Sequence, residues 1–402
     1  MEKPRLRPVE IIPVVHENRR MFHLYDPSGV GEGLLLSPGA VQIAVSYFNG
    51  ENTVRDIQAA FLRRTGSLLS SEDLNRLIAA LDEAGLLDSD NFRKRLQARR
   101  EAYLAEPLRP ATHAGGAYPA DPTELKERLR EILRKAEEKG ARPVENLRAL
   151  VAPHIDFVRG NMGYGYAYSA LQGRRPPERV IVLGTGHHVT SRPIVLTEKD
   201  FATPLGVVKT DRGLVKRLTE ACGPEILEDQ FEHATEHSVE FQAVLLRYLF
   251  GAKFSLVPVL CGAFPTPEPG GKLPREVPLI ERFIEELRAI VGEAAEETLV
   301  VAGVDFAHVG PRFGAEEPVD EALLTAVEVS DRALLASLCQ GDADGFYRRL
   351  GTHGNKYGVC GYAAMYTLLA ALPGLQGVVL HYEQAVAPDR SQAVTFSAVA
   401  FK

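Results

Sequence analysis

The sequence predicts an α/β protein with a mainly parallel central sheet flanked by helices, preceded by a smaller α+β domain. Three observations carry that expectation. Short apolar runs at 148–153, 180–183, 254–260, 298–304 and 377–382 alternate with helical patterns across residues 112–402, the order expected of strands joined by helical crossovers. Several of these runs lead into residues able to bind or serve a metal: His154, His187 and the pair Asp305 and His308. A parallel sheet gathers its chemistry at the carboxyl ends of its strands, so residues distant in sequence can meet there. Finally, 402 residues at 45% hydrophobic composition supply the core of two to three domains.

In chain order, residues 1–92 read as a domain of their own. An apolar start (9–15) and a Pro/Gly-rich turn (26–33) precede two capped helices. Thr53 opens one with Val54, Ile57 and Phe61. Ser70, with Asp73 three residues on, opens a second carrying Leu74, Leu77, Ile78 and Leu81 at helical spacing and stopping at Gly85. Helices followed by the short apolar return Leu86-Leu87 give a winged-helix-like expectation. Residues 93–111, arginine-rich and then bearing Pro107 and Pro110, read as a charged helix and linker. The main domain spans 112–402. Asp121-Pro122-Thr123-Glu124 is a strong helix start, and Leu125, Leu129, Ile132, Leu133 and Ala136 form one stripe suited to packing on a sheet.

A net charge of −7 argues against a general nucleic-acid or anionic-membrane surface, since both need a concentrated positive field. Four cysteines without paired spacing do not form a disulfide framework and fit a reducing compartment. No stretch reaches the roughly 18 apolar residues of a membrane span. The expectation is a soluble, cytoplasmic protein.

His154 and His187 are the leading metal-ligand candidates, because a neutral imidazole at a strand end can aim a ring nitrogen into the crevice. His188 points elsewhere than its neighbour. Cys360, in the glycine-bearing loop 358–361, would supply a thiolate as third ligand. Cys222, Cys261 and Cys339 read as inert thiols. Asp305 and His308 suit acid/base or ligand-orienting work. His233-Ala234-Thr235-Glu236-His237 matches the H-x-x-E-H pattern of inverted zinc peptidases. The helical stripe starts only after Ser238, so the shared helix face this pattern needs is unsupported. His237 and Glu240 stay as contributors to the main pocket.

Taken together, His113-Ala114-Gly115-Gly116-Ala117-Tyr118, Ala152-Pro153-His154, Leu183 through His188, Glu236 through Glu240, Val257 through Leu260, Asp305-Phe306-Ala307-His308 and Cys360-Gly361 resemble, in order, the motifs of the Memo family over residues 112–402. The resemblance implies a fold like the class III extradiol (LigB-type) non-haem iron dioxygenases. In that comparison His154 and His187 fall at the two histidine-ligand positions, Cys360 where those enzymes carry a carboxylate, and His308 at the acid/base position. It also implies membership of the AmmeMemoRadiSam system, with AMMECR1-type and radical-SAM partners. The ending Leu81 through Leu87 resembles PqqD-like peptide-recognition domains, which suits a peptide or protein substrate. Ala117 replaces an aromatic residue common in the first motif, and Ile155-Asp156-Phe157 departs from the animal sequence after His154, so phosphotyrosine-peptide binding does not transfer.

The leading expectation is therefore an iron- or copper-dependent redox enzyme of dioxygenase-like site. His154, His187 and Cys360 hold Fe(II) or Cu, with Zn also admitted by the sulfur ligand; His308 moves protons, Asp305 orients it and His237 assists. A non-catalytic peptide-binding module and a zinc hydrolase are the rivals.

Overall fold

The computed structural model describes residues 2–26, 28–189 and 191–402, and the chain divides into two compact units, Met1–Ala105 and Glu106–Lys402.

The first unit is a small α+β assembly. Strands β1 (Glu10–His16), β2 (Arg19–Tyr25) and β3 (Leu34–Leu36) form an antiparallel sheet in that order, and helices α1 (Pro38–Tyr47), α2 (Val54–Thr65), α3 (Ser71–Glu83) and α4 (Asp90–Ala105) follow. Thr53 and Asp56 close the capping box of α2, Ser70 caps α3, and Gly85 takes the left-handed conformation (φ 71°) just past its end. Leu24, Ile57, Leu74, Ile78, Leu81 and Leu86 share the core. The sheet leads and the helices follow. The apolar return Leu86-Leu87 joins through the Leu6–Leu87 bridge and the Arg7 N–H to Leu86 carbonyl bond instead of forming a wing hairpin.

The boundary between the units falls inside the stretch read as linker. Residues 90–105 are one helix of the first unit, while β4 (Leu108–Arg109) already pairs in parallel with β8 (Asp200–Phe201) of the second. Arg109 is the reason: its side chain is fully buried against Glu240, which commits this segment to the second unit.

The second unit continues with α5 (Pro122–Glu138), β5 (Ala149–Ala152), α6 (Asn161–Ser169), β6 (Arg179–Thr185), β7 (Ile194–Leu196), β8, β9 (Lys209–Thr210), α7 (Arg212–Cys222), α8 (His237–Phe250), β10 (Ser255–Cys261), α9 (Pro278–Glu293), β11 (Thr298–Gly303), β12 (His308–Val309), α10 (Glu321–Cys339), α11 (Ala343–Gly351), α12 (Tyr362–Ala371), β13 (Gly377–Val386) and β14 (Ala393–Phe401). Its nine-stranded sheet runs β12-β14-β5-β11-β6-β10-β7, with β13 on β14 and β9 on β10. The strands β5, β11, β6 and β10 are mutually parallel; β7, β12, β13 and β14 are antiparallel to their neighbours. The sheet is thus mixed around a parallel centre. Central strand residues alternate between two cores, as the pleat requires. Ile181, Leu183, Val300 and Ala302 face α7 and α9–α12, whereas Val180, Val182, Leu299 and Val301 face α5, α6 and α8.

Two glycines decide where α8 begins. Gly184 and Gly303 are register partners on β6 and β11. A Cβ on Gly184 would lie 2.5 Å from Ser238 Oγ, and one on Gly303 would lie 2.7 Å from the Ser238 carbonyl oxygen. Only bare backbone lets the first turn of α8 close onto the strand ends, bringing Glu236, His237 and Glu240 to the carboxyl edge of the sheet. Among the described residues no helix is long and apolar enough to cross a membrane.

Candidate metal centre

The strands β5, β11 and β6 are neighbours, so the residues that follow them emerge side by side. His154 leaves β5 after Pro153, His187 leaves β6 after Gly186, and Asp305 leaves β11. Cys360 arrives from the loop before α12. That loop is tied internally by Asn355, which bonds both the N–H and the carbonyl of Val359, and externally by the Gly361 N–H on the Asp305 carbonyl. The ligand-capable atoms of His154, His187 and Cys360 all lie within 4.8 Å of one another.

Both imidazoles are fixed through Nδ1. His154 Nδ1 is 3.0 Å from the Gly303 carbonyl oxygen, which accepts only an N–H and therefore leaves Nε2 with its lone pair. His187 Nδ1 faces both carboxylate oxygens of Glu236 at 3.0 and 3.1 Å, and its backbone N–H donates to the same group at 3.0 Å. Cys360 Sγ lies 3.4 Å from His154 Nε2. Tetrahedral ligands at zinc-like bond lengths of roughly 2.0 Å to nitrogen and 2.3 Å to sulfur would stand about 3.5 Å apart, close to the 3.4 Å between Cys360 Sγ and His154 Nε2.

Burial and charge prepare these groups unequally. His154 is enclosed, and burial first, then the neighbouring His187, pushes its pKa down to about 3, leaving the neutral form a metal needs. His187 sits at the rim with its side chain 29% exposed; burial opposes its charge, but Glu236 and the contact with Cys360 hold its pKa well above the ordinary value. Burial raises the Cys360 thiol pKa while His187 draws it back, so a cation at this point would favour the thiolate.

The flanking residues divide the remaining work. Asp305 accepts from the His154 backbone N–H at 3.0 Å, and burial raises its pKa to about 6. Its hydrogen bonds go to the ligand loop, not to His308. The His308 ring is set instead by the Phe306 carbonyl, 3.0 Å from Nδ1, and burial lowers its pKa. Asp305 and His308 thus act on each other through charge, while the hydrogen bond of the carboxylate holds the His154 backbone. His237 packs its ring 4.9 Å from His187 and 5.1 Å from His154, nearly parallel to the former, so it forms a wall of the crevice. A second group able to hold a cation comprises His187, Glu236 and His237.

His233 lies in a 3-10 turn, buried, with Nε2 on the Val195 carbonyl, while α8 starts at His237; the H-x-x-E-H residues therefore share no helix face. His188 is exposed beside the buried strand end. All four cysteines are unpaired, and burial pushes the Cys222 and Cys261 thiols up to about 11 and about 12, as inert thiols require.

The sequence reading kept Glu240 as a contributor to the pocket but missed two sets of partnerships. Glu236 is the N-cap of α8 as well as the partner of His187, its pKa held well below the ordinary value by His187 and His237 against the effect of burial. One turn on, Glu240 is buried with Arg109 and accepts from Tyr118 and from the His113 N–H, while His113 Nδ1 stands 2.9 Å from it. Burial raises its pKa, but Arg109, His113 and Tyr118 together outweigh burial, so it falls to about 2. His113 is thereby held with its ring edge-on to His237 at 5.7 Å. Thus each of two carboxylates, one helical turn apart, fixes an imidazole near the crevice.

Residues 109–400 match the family profile described as "Memo-like protein". A "MEMO1 family protein" of Aquifex aeolicus is 27% identical over 402 residues, covering 99% of this chain and 100% of the relative. One from Thermus thermophilus is 28% identical, covering 82% of this chain and 92% of its own length. Another, from Methanopyrus kandleri, is 29% identical over 72% of this chain and 97% of itself.

Proposed function

The chain belongs to the Memo family, and from that premise we propose that it is a metal-dependent redox enzyme whose single iron or copper ion is held by His154, His187 and Cys360. The observation that carries this reading is the convergence of two imidazoles, each fixed through Nδ1, with one thiol, all within 4.8 Å. Two nitrogens and a thiolate suit Fe(II) and Cu(I) alike, whereas a closed structural zinc site would use four protein ligands. The bound ion would supply the one-electron chemistry that these side chains lack.

The protein's own residues supply the rest. Gly303 and Glu236 fix the ligand tautomers, and Asp305 holds the backbone of His154 in place. His308, with Nδ1 committed to the Phe306 carbonyl, presents Nε2 as the group that takes or returns a proton. His237 and the Glu240-held His113 line the approach.

The test compares wild type and His308→Ala, loaded anaerobically with Fe(II) or Cu(I) and then exposed to oxygen with ascorbate as reductant. Equal metal content and loss of oxygen consumption in the variant are expected. Equal consumption by the two proteins would overturn the role of His308, and failure of either metal to bind the wild type would overturn the redox reading itself.

A further inference from the structure

A cavity of about 1010 Å³ lies at the opposite end of the parallel strands from the candidate metal centre. It is lined by the segments that enter β5, β6 and β11, including Arg148 just before β5 and Arg174 in the turn before β6. The exposed rim carries both signs, Arg175 and Lys402 beside four glutamates, whereas the half-buried charges of the lining are arginines alone. Arg148 and Arg174 are half-buried, whereas the acids Glu145, Glu178, Glu296 and Glu297 that share the lining are exposed.

Neither arginine is neutralised. Among the described residues no carboxylate lies within 4 Å of either guanidinium; Glu178 goes to Arg179 instead. Arg148 Nε is shielded from solvent with no hydrogen-bond acceptor, and Arg174 makes one bond, Nη1 to the carbonyl of Leu147, the residue before Arg148, at 2.9 Å. Burial and the charge of Arg148 lower the Arg174 pKa. Two adjacent guanidiniums, partly desolvated and without an anion, are unfavourable unless something else supplies the charge. Guanidinium forks match the oxygens of a phosphate, and Pro143, Pro176 and Leu375 add apolar wall for a larger body. Pockets of roughly 300–1,000 Å³ accommodate organic ligands, so this one has room well beyond a bare ion.

We propose that this cavity is a second binding site, separate from the metal centre, which takes a phosphate-bearing small molecule through Arg148 and Arg174. Phosphates and polycarboxylates share the chemistry the arginines recognise, so the test separates them.

Full-length protein is titrated calorimetrically with pyrophosphate and, separately, with citrate, at constant ionic strength with sodium chloride as control. Wild type is compared with Arg148→Gln, Arg174→Gln, the exposed control Arg128→Gln and the metal-site variant Cys360→Ser. Pyrophosphate binds wild type, Arg128→Gln and Cys360→Ser alike, and each of the two cavity variants weakens it about tenfold or more, the loss expected for one charge-assisted contact. Thermal unfolding without added anion checks that the variants fold. If Arg148→Gln does not, Arg174→Gln, whose guanidinium makes a single hydrogen bond, carries the comparison. Absence of binding to wild type at millimolar pyrophosphate, or unchanged affinity in Arg174→Gln, overturns the site. Binding of citrate but not pyrophosphate overturns the phosphate assignment.

Discussion

Glu236→Gln probes whether metal affinity depends on the carboxylate behind His187. Glu236 is only 4% exposed. Its two oxygens serve three N–H groups: the His187 backbone at 3.0 Å, the His187 ring at 3.0 and 3.1 Å, and the Ser238 backbone at 3.0 Å. Glutamine keeps one acceptor and adds two donors. If its oxygen serves His187, its amide faces the Ser238 N–H; turned over, it faces both His187 donors. At least one buried N–H loses its partner in either orientation, at a cost of about 1–3 kcal/mol. The helix-cap contribution alone, about 0.5–2 kcal/mol, falls in the same range. For the metal, loosening the partner of a ligating histidine costs roughly 10–100-fold in affinity, or about 1.4–2.8 kcal/mol. Urea denaturation reads the first effect, and anaerobic competition against calibrated chelators for Fe(II) and Cu(I) reads the second. Wild-type affinity in a folded Glu236→Gln protein would refute the reasoning, because His187 would then need no partner to act as a ligand.

Two further outcomes follow from groups around the sheet. Glu240→Gln leaves the fully buried Arg109 guanidinium without its counter-charge and is expected to cost about 3–5 kcal/mol in urea denaturation; a loss below 1 kcal/mol would contradict a buried ion pair. Asp331 on α10 is buried, accepting from Thr395 Oγ1 at 2.5 Å and Tyr382 OH at 2.9 Å, and burial raises its pKa to about 6 although both bonds oppose the shift. A carboxyl raised on folding contributes stability that is full below its unfolded value near pH 4 and is lost as pH rises through 6. The difference of roughly two units amounts to about 3 kcal/mol. Stability measured from pH 4 to 7 is therefore expected to fall more steeply in wild type than in Asp331→Asn, and parallel curves would count against it.

How legible these features were depended on whether the signal was local. The helix at 122–138 could be read residue by residue, because Asp121 caps it and its apolar stripe is periodic; all five stripe residues are buried. The meeting of His154 and His187 was legible for another reason: parallel strands place their carboxyl ends together, so identifying the strands predicts their convergence, whereas Cys360 follows no strand and was placed by its thiol chemistry and the family resemblance. Partners set only by tertiary packing were not. Arg109 lies among prolines in a stretch that reads as linker, and nothing nearby in sequence announces Glu240, 131 residues on. Glu236 was overshadowed by the two histidines of its motif. The antiparallel strand β14, paired on both sides and buried along its whole length, gives an apolar run without alternation, which does not declare its direction. The domain boundary moved for the same reason, since a charged helix and a flexible linker share a composition and differ only in what their faces touch.

The central claim is that one metal ion sits between two imidazoles and the Cys360 sulfur. X-ray absorption at the iron and copper edges, on protein loaded anaerobically with each metal, tests it most directly. Wild type is predicted to show nitrogen scatterers near about 2.0 Å and one sulfur near about 2.3 Å, by analogy with zinc distances, and Cys360→Ser is predicted to lose the sulfur shell while keeping the nitrogens. A wild-type spectrum without sulfur, or a sulfur shell that survives in Cys360→Ser, would contradict the account.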